Sequence, residues 1–526
     1  MLRVHLHALR HAPRAYLTAA WWRLFGKRAR ARAQFAPLLA VSPLAYRIWL
    51  RGEAPARGYD YGRAGPPIFA LVDVRAGRGA LDETLRSLEQ EGVVALAVGT
   101  PDIPDLAEAA RRIDWRDGAW LLPVAVGDVL APGAAAAYRR ATDFVAGTRT
   151  HVVYADDDLL DAGGQRHAPH FKPGWNAELY RHFDYLTGAC IVRAGATDLA
   201  VASGADWAVR LVAFAVEGKG TPQRLPHVLH HRRSRPAPRV PARVVPTPAM
   251  IGALPLVSVL VPTRNRLNLL RTCIKGLART DYPDMEVIIV DNGSDDPATL
   301  AWLDALDPAC HRVLRAPGPF NFSTLNNRAA HEACGQLLCL LNNDIEVLSP
   351  DWLAIMAAHA LRPEVGAVGA RLLYPDGRIQ HAGVVLGVGG GAAHAHRLLH
   401  PDEEGYFRRH ALPQFVSAVT AACLVVQRAR FEAVGGLDEA NFAVAFNDVD
   451  LCMRLNARGW QSLYEPRATL VHHESVSRGL DRDPVGAARL AGELAALKAR
   501  WNTDEVVDPY HHPQLNRFSE RFVVRL

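Results

Sequence analysis

Four patterns occur twice in this chain, in the same order and at comparable places, and this limits the possible folds more than any other feature. Ala70-Leu-Val-Asp-Val-Arg75 matches Val259-Leu-Val-Pro-Thr-Arg264, and each precedes a helical pattern. Val129-Leu-Ala-Pro132 matches Val347-Leu-Ser-Pro350, Asp206-Trp-Ala-Val-Arg210-Leu211 matches Asp450-Leu-Cys-Met-Arg454-Leu455, and His230-His231 matches His472-His473. Within each copy, apolar runs of strand length alternate with amphipathic helical stretches, the mark of βαβ units. The 526 residues are enough for two such α/β modules in tandem. The expected organisation is a basic helical N-terminal arm (1–64), a first module (65–235), an Arg/Pro-rich linker (236–254), a second module (255–480), and a C-terminal helix with a polar tail (481–526).

With 49% hydrophobic and 22% charged residues, the chain reads as globular. Its net charge of +6 is unevenly placed, because Met1 to Arg51 is rich in Arg, Lys and His and holds no acid before Glu53. Those cations flank Trp21, Trp22, Leu24 and Phe25. Two readings stay open for this arm: a solvated segment packed on the next domain, or an interfacial helix on anionic lipid. Seven cysteines without a CxxC pair suggest reduced thiols in a cytoplasm rather than disulfides or a zinc site. No apolar run reaches the ~18 residues of a membrane span, and the N-terminus lacks the pattern of a secretory signal. A cytoplasmic protein is therefore expected, and under the second reading of the arm it would sit peripherally at the inner face of a membrane. Nucleic acid is not an expected partner, since the basic arm carries no recognised motif.

The chemistry lies in the second copy. Leu338-Cys-Leu-Leu-Asn342-Asn343-Asp344 is an apolar run ending in amides and a carboxylate. Open α/β sheets bind ligands at such carboxyl ends. A lone Asn-Asn-Asp is a turn cap more often than a metal corner, but three other strand ends in this copy are also polar. Pro262 ends a first strand, leaving Thr263 and Asn265 to meet a base or ribose. Asp291 ends a second, where simple turn chemistry with Asn292 is the alternative. Tandem His472-His473 ends another, and alternation puts the two rings on opposite faces, so one binds a metal with Asp344 and the other does not; His472 is preferred over His473. Asp344 with a histidine supplies few hard ligands for Mg2+ or Mn2+, so that diphosphate oxygens fill the rest. Arg328, on an early turn of a helix, and Arg478, beyond the histidines, are candidates for nucleotide or phosphate contact. Asp448 and Asp450 fall in the first turn of another helix but not on one face, so one faces a pocket while the other supports the helix. Asp448 is the candidate base and Asp450 an acceptor-side residue. His381, before the glycine run Gly387–Gly391, belongs to an acceptor loop or to an ordinary surface loop.

Val-Pro-Thr-Arg-Asn265, Val-Asp291-Asn-Gly-Ser, Leu-Asn-Asn-Asp344, Val434-Gly-Gly-Leu-Asp438, Asn-Asp448-Val-Asp450 and His472-His473-Glu-Ser together resemble glycosyltransferase family 2. The likeness is to bacterial members that build O-antigen or other cell-surface polysaccharides. It implies tandem GT-A folds, a metal-dependent hexosyl- or rhamnosyltransferase, a nucleotide-diphosphate sugar donor, a saccharide or lipid-linked saccharide acceptor, and inversion at the anomeric carbon. By position it gives Asp291 and Asn342 to the donor, Asp344 to the metal and Asp448 to general-base duty. Asn342 and Asn447 stand where the family often has acids.

The first copy lacks this set. Asp73 and Val74 replace Pro262 and Thr263, Gly99 stands for Asp291, Gly204 for Asp448, and Asp128 is the acid left at the metal corner. Asp156-Asp157-Asp158 reads as a solvated turn. A degenerate, non-catalytic first module is expected. The rivals are a sugar-1-phosphate nucleotidyltransferase, which would want a glycine-rich loop after the first strand, and a scaffold of two inactive modules.

Overall fold

Strands buried along their whole length set the architecture, because a strand with no polar face must lie inside a covered sheet. The computed structural model describes residues 1–53, 65–75, 77–115, 118–217, 220–242, 254–473 and 484–526. The first sheet uses β1 (Ile68–Asp73), β2 (Val94–Val98), β3 (Ala119–Ala125), β4 (Val129–Leu130), β5 (Val152–Leu160), β6 (Arg166–His170), β7 (Cys190–Ala194) and β8 (Gln223–Arg232). The second uses β9 (Val257–Thr263), β10 (Met285–Asp291), β11 (His311–Arg315), β12 (Leu337–Leu341), β13 (Ile345–Val347), β14 (Val365–Leu373), β15 (Ile379–His381), β18 (Gln414–Val416), β19 (Cys423–Gln427) and β20 (Gln461–His472); β16 (Val384–Leu386) and β17 (Ala392–His394) form a separate hairpin.

Both sheets are mixed, and their connectivity corresponds. The first runs β2-β1-β3-β7-β5-β8-β4 and the second β10-β9-β12-β19-β14-β20-β13, with β11 added at the outer edge. Parallel and antiparallel pairings match step by step, and β6 lies against β5 as β15 lies against β14. The repeated sequence patterns thus fall on corresponding elements, the Asp206 and Asp450 pair on helices and the others on or beside equivalent strands. Register refines one of them: Val129 pairs with His231 and Ile345 with His472, so His231, not His230, is the counterpart of His472.

Each sheet is covered on both faces by apolar clusters, one built on Leu71, Leu121 and Leu211 and another on Leu260, Leu338 and Leu424 being examples. Burying each such side chain contributes about 1.5–3 kcal/mol. A smaller cluster joins Tyr46, Phe171, Val385, Leu515 and Phe522, so the arm, both modules and the C-terminal tail share a core. The tail is therefore not merely polar, since it buries His511, His512, Leu515 and Phe522.

One other expectation is corrected. Asp156, Asp157 and Asp158 are fully buried within β5 rather than in a solvated turn. Lys172 pairs with Asp157 at 2.9 Å, Arg166 with Asp158 at 2.6 Å and His512 with Asp156 at 2.7 Å. Arg232 and Arg235, at the edge of the expected linker, belong to the same network, Arg235 bonding directly to Asp157. Burial opposes ionisation of Asp157, but Lys172, Arg235 and Arg232 outweigh it and hold the carboxyl well below its usual range. Among the described residues, no helix is long and apolar enough to cross a membrane.

Candidate active site

The parallel strands β9, β10 and β12 deliver their carboxyl ends to one edge of the second sheet. There a cleft of about 1530 Å³ opens, larger than the ~300–1,000 Å³ typical of a single small-molecule site. Pro262 and Thr263 leave β9 on its rim, and Asn342, Asn343 and Asp344 turn from β12 into β13 beside them. Asn343 Nδ2 donates to Thr263 Oγ1 at 2.9 Å, tying the two strand ends together.

Behind that turn, β20 ends at His472. Its Nδ1 lies 2.7 Å from Gln380 Oε1, which accepts the ring proton. Nε2 then carries no proton; it accepts from Asn342 Nδ2 at 3.1 Å and faces Asp344 Oδ1, also at 3.1 Å. An imidazole lone pair turned on a carboxylate oxygen is an arrangement that a shared proton or a hard cation stabilises. Asp344 and His472 line the cleft, and together they supply the oxygen and nitrogen donors that a Mg2+ or Mn2+ diphosphate complex accepts, so the residues fit such an ion. Among the described residues no group of three or more His, Cys, Asp or Glu forms a metal cage, which leaves the remaining positions to a ligand. His473 points the other way and bonds Glu346 at 3.0 Å. Alternation along β20 thus brings His472 into the cleft and keeps His473 out.

Asp448 lines the same cleft from a helix. It occupies the first turn of the helix Asn447–Ala457, entered through Phe446 in the left-handed conformation (φ 61°). Its carboxylate accepts from Val449 N at 2.8 Å and Ala421 N at 3.1 Å, so the helix start and a neighbouring loop fix its aim. Asp450 does not share the cleft. It is fully buried, bound to Arg454 and Arg500 at 2.8 Å each and to Trp501 Nε1 at 3.0 Å, because a turn of two residues rotates it toward the C-terminal helix Pro484–Trp501.

Other predicted residues are placed elsewhere. Arg328 is exposed on the helix Phe322–Glu332 and is not among the cleft residues; Arg478 lies outside the described residues. Asp291 ends β10 beside Thr263 but is 2% exposed, bonded to Ser294 and paired with Arg315 at 2.8 Å, behind the cleft wall. Asn265 lies on the rim, but its amide is engaged: Nδ2 donates to Asp295 and Oδ1 accepts from Asp295 N and Asp296 N. It shapes the loop and is not a free contact for a base. His381 is fully buried behind the cleft, and burial, with His394 and His472 nearby, keeps it neutral far below the usual imidazole range.

Four residues that the sequence did not single out reach the site. Arg266 and Arg489 bring positive charge to the cleft, and Gln380 orients His472. His394 lines the cleft from β17, with Nδ1 2.8 Å from His381 Nδ1. Backbone N–H groups of Gly383 and Thr420 donate to His381 Nε2, so its proton sits on Nδ1 and is given to His394. His394 then carries its own proton on Nε2. Strand alternation was the available signal for Gln380, which faces opposite to His381. Nothing local to the sequence marked His394 or Arg489, which long-range folding brings in.

In the first module the corresponding edge is self-satisfied. Asp128, the counterpart of Asp344 by register, accepts from Arg233 N at 2.8 Å and lies 3.5 Å from Arg232 Nε. There a guanidinium, that of Arg232, faces the carboxylate.

Strand ends of an α/β sheet thus gather a carboxylate–imidazole pair, basic side chains and a second, backbone-held carboxylate around one large cleft. Residues 258–387 match the family described as Glycosyl transferase family 2, and the chain carries a domain of that family. It is 39% identical over 417 residues to protein y4gI of Sinorhizobium fredii, covering 71% of this chain and 46% of that protein. It is 36% identical over 428 residues to the O-antigen biosynthesis protein RfbC of Myxococcus xanthus (74% and 33%). It is 28% identical over 226 residues to the N-acetylglucosaminyl-diphospho-decaprenol L-rhamnosyltransferase of Mycobacterium tuberculosis (39% and 71%). The chain thus spans less than half the length of the first two relatives. Among solved structures, the mannosyltransferase PcManGT of Pyrobaculum calidifontis, in complex with GDP-Man and Mn2+, aligns at 20% identity with a TM-score of 0.37, over 52% of this chain and 70% of that one.

Proposed function

We propose that the chain moves a hexose or rhamnose from a nucleotide-diphosphate donor to a hydroxyl of a saccharide or lipid-linked saccharide, with inversion, in surface polysaccharide synthesis at the inner face of a bacterial membrane. Both modules are read as GT-A-like, the second catalytic and the first not. The observation that carries this is that Asp448 and the Asp344–His472 pair line one cleft with room for two substrates.

Asp448 takes the proton of the acceptor hydroxyl as that oxygen attacks the anomeric carbon from the face opposite the diphosphate. Its two backbone N–H bonds hold the carboxylate in place for this. Pro262, Thr263 and Asn342 form the donor wall, with Asp291 behind it. Arg266 and Arg489 face the leaving diphosphate and offset its charge. A divalent cation held by Asp344 and His472 would supply further electrophilic stabilisation of the same group. One base suffices, unlike a glycosidase, which needs two carboxylates across the bond.

The test is a screen of nucleotide sugars for release of nucleoside diphosphate, with and without Mg2+ or Mn2+. Release that needs the cation, and falls at least about hundredfold in Asp448→Asn, is expected. Full activity in Asp448→Asn would overturn the base, and undiminished activity after chelation the metal pair.

A further inference from the structure

We infer that the outer face of the arm's second helix is a docking surface for an anionic lipid bilayer. The arm comprises α1 (Leu2–His11), α2 (Pro13–Leu24), α3 (Arg28–Ala40) and α4 (Ala45–Gly52). On α2 and its last turn, Leu17 is 60% exposed, Trp21 59%, Leu24 80% and Phe25 57%. At 3.6 residues per turn, Arg14, Leu17, Trp21 and Leu24 fall within about 80° of arc. Ala19, on the opposite side, is fully buried. The Trp21 and Phe25 rings lie 4.1 Å apart, so the tip of the helix presents a joined aromatic surface.

This is the reverse of an ordinary surface helix, which turns its large apolar side chains inward. The charge around the stripe selects the occupant. Residues 1–52 carry nine Arg and one Lys and no Asp or Glu. A second copy of the chain would bring the same cations to the contact and be repelled. A bilayer with anionic headgroups accepts both parts: Trp, Phe and Leu enter the headgroup boundary while Arg14, Lys27 and Arg28 meet phosphate.

The rest of the arm makes the surface a fixed part of the molecule. Tyr46 OH donates to buried Asp158 at 2.7 Å, Trp49 Nε1 donates to Gln514 at 3.1 Å, and Arg166 pairs with Glu53 at 2.7 Å. Arg32 lies over the Phe518 ring at 5.1 Å. The α4 end is thereby locked to the first module and the tail, while α2 faces outward. The inference deepens the transferase reading, since it supplies the surface on which a lipid-linked acceptor lies. Lipid binding needs no catalysis, however, so each fails separately.

The experiment is co-sedimentation of the full chain with vesicles of phosphatidylcholine alone and of phosphatidylcholine mixed equally with phosphatidylglycerol. Binding to the mixed vesicles, weakened by salt and at least about tenfold weaker on neutral ones, is expected. The combined variant Leu17→Ser, Trp21→Ser, Leu24→Ser, Phe25→Ser should lose about tenfold or more in vesicle binding while keeping nucleoside diphosphate release. These side chains are exposed, so the fold is retained, and circular dichroism checks it. Equal binding of wild type to both vesicle types, no binding to either, or unchanged binding of the variant overturns the inference. So does a dimer in sedimentation velocity that dissociates in the variant, since the stripe would then belong to a second copy.

Discussion

Asp448 and Asp450 are two residues apart but stand in opposite surroundings, a cleft and a sealed ion-pair cluster, which single substitutions should separate. Asp450 is sealed between Arg454, Arg500 and Trp501. Asp450→Asn takes the counter-charge from Arg454, while Arg500 keeps Asp438 at 2.8 Å, and should cost about 3 kcal/mol in denaturant unfolding. Asp448→Asn should leave the unfolding midpoint unchanged and remove turnover; equal destabilisation by the two would mean that Asp448 is also structural. The histidines divide in the same way. His472→Ala should weaken Mn2+ binding in the presence of nucleoside diphosphate about 10–100-fold in calorimetry, whereas His473→Ala, which loses only a half-exposed contact to Glu346, should not. Comparable losses in both variants would remove His472 from the metal pair. Alternation made it legible in the sequence that the two rings face apart. Which one meets Asp344 was settled by Gln380 and by the pairing of strands far apart in the chain, and no local pattern encodes that.

At the level of strands, the duplication was legible because apolar runs and their punctuation recur in both copies. What the sequence hid was burial of charge. Asp156-Asp157-Asp158 has the composition of a solvated turn, and only the arrival of Lys172, Arg166, Arg235 and His512 from other elements makes it part of a strand core. Asp128 shows the consequence for the first module. Burial pushes its carboxyl up to about 6 against the opposing pull of Arg232. Raised above the unfolded value of about 3.9, the group stabilises the fold fully below that pH and loses this contribution as pH rises through about 6. Asp128→Asn should therefore match wild type near pH 4 and exceed its stability at pH 8 by up to about 3 kcal/mol, at about 1.4 kcal/mol for each tenfold change in proton affinity. An Asn variant less stable at pH 8 than at pH 4, relative to wild type, would show that the Arg232 contact outweighs burial. The same closed edge predicts one nucleoside diphosphate per chain in calorimetry; two would mean that the first module still opens.

Across the whole molecule, the two modules are joined by polar contacts that neither could satisfy alone. Asn176 of the first donates Nδ2 to Phe415 O at 2.8 Å and accepts from Phe415 N at 3.1 Å. Glu178, on the short helix that follows, pairs with Arg362 of the second at 2.8 Å. Burial works against ionisation of Glu178, but hydrogen bonds from His182 and Arg362 outweigh it and hold the carboxyl at about 2, down from 4.5. A depressed carboxylate gives its stability fully above the unfolded value and loses it as pH falls toward the folded one. Docking of the modules should thus weaken between pH 4.5 and about 2. Glu178→Gln should flatten that dependence and cost about 2 kcal/mol at neutral pH, because Arg362 keeps Glu364 as a second partner and is not left bare. Hydrogen exchange at the Phe415 amide reads the junction directly. Faster exchange there in the variant, with the amides of β9 and β12 unchanged, places the loss between the modules, whereas uniform acceleration would mean that Glu178 supports its own module. Nucleoside diphosphate release should persist in this variant, since the cleft is built by the second module from its own strand ends and the C-terminal helix.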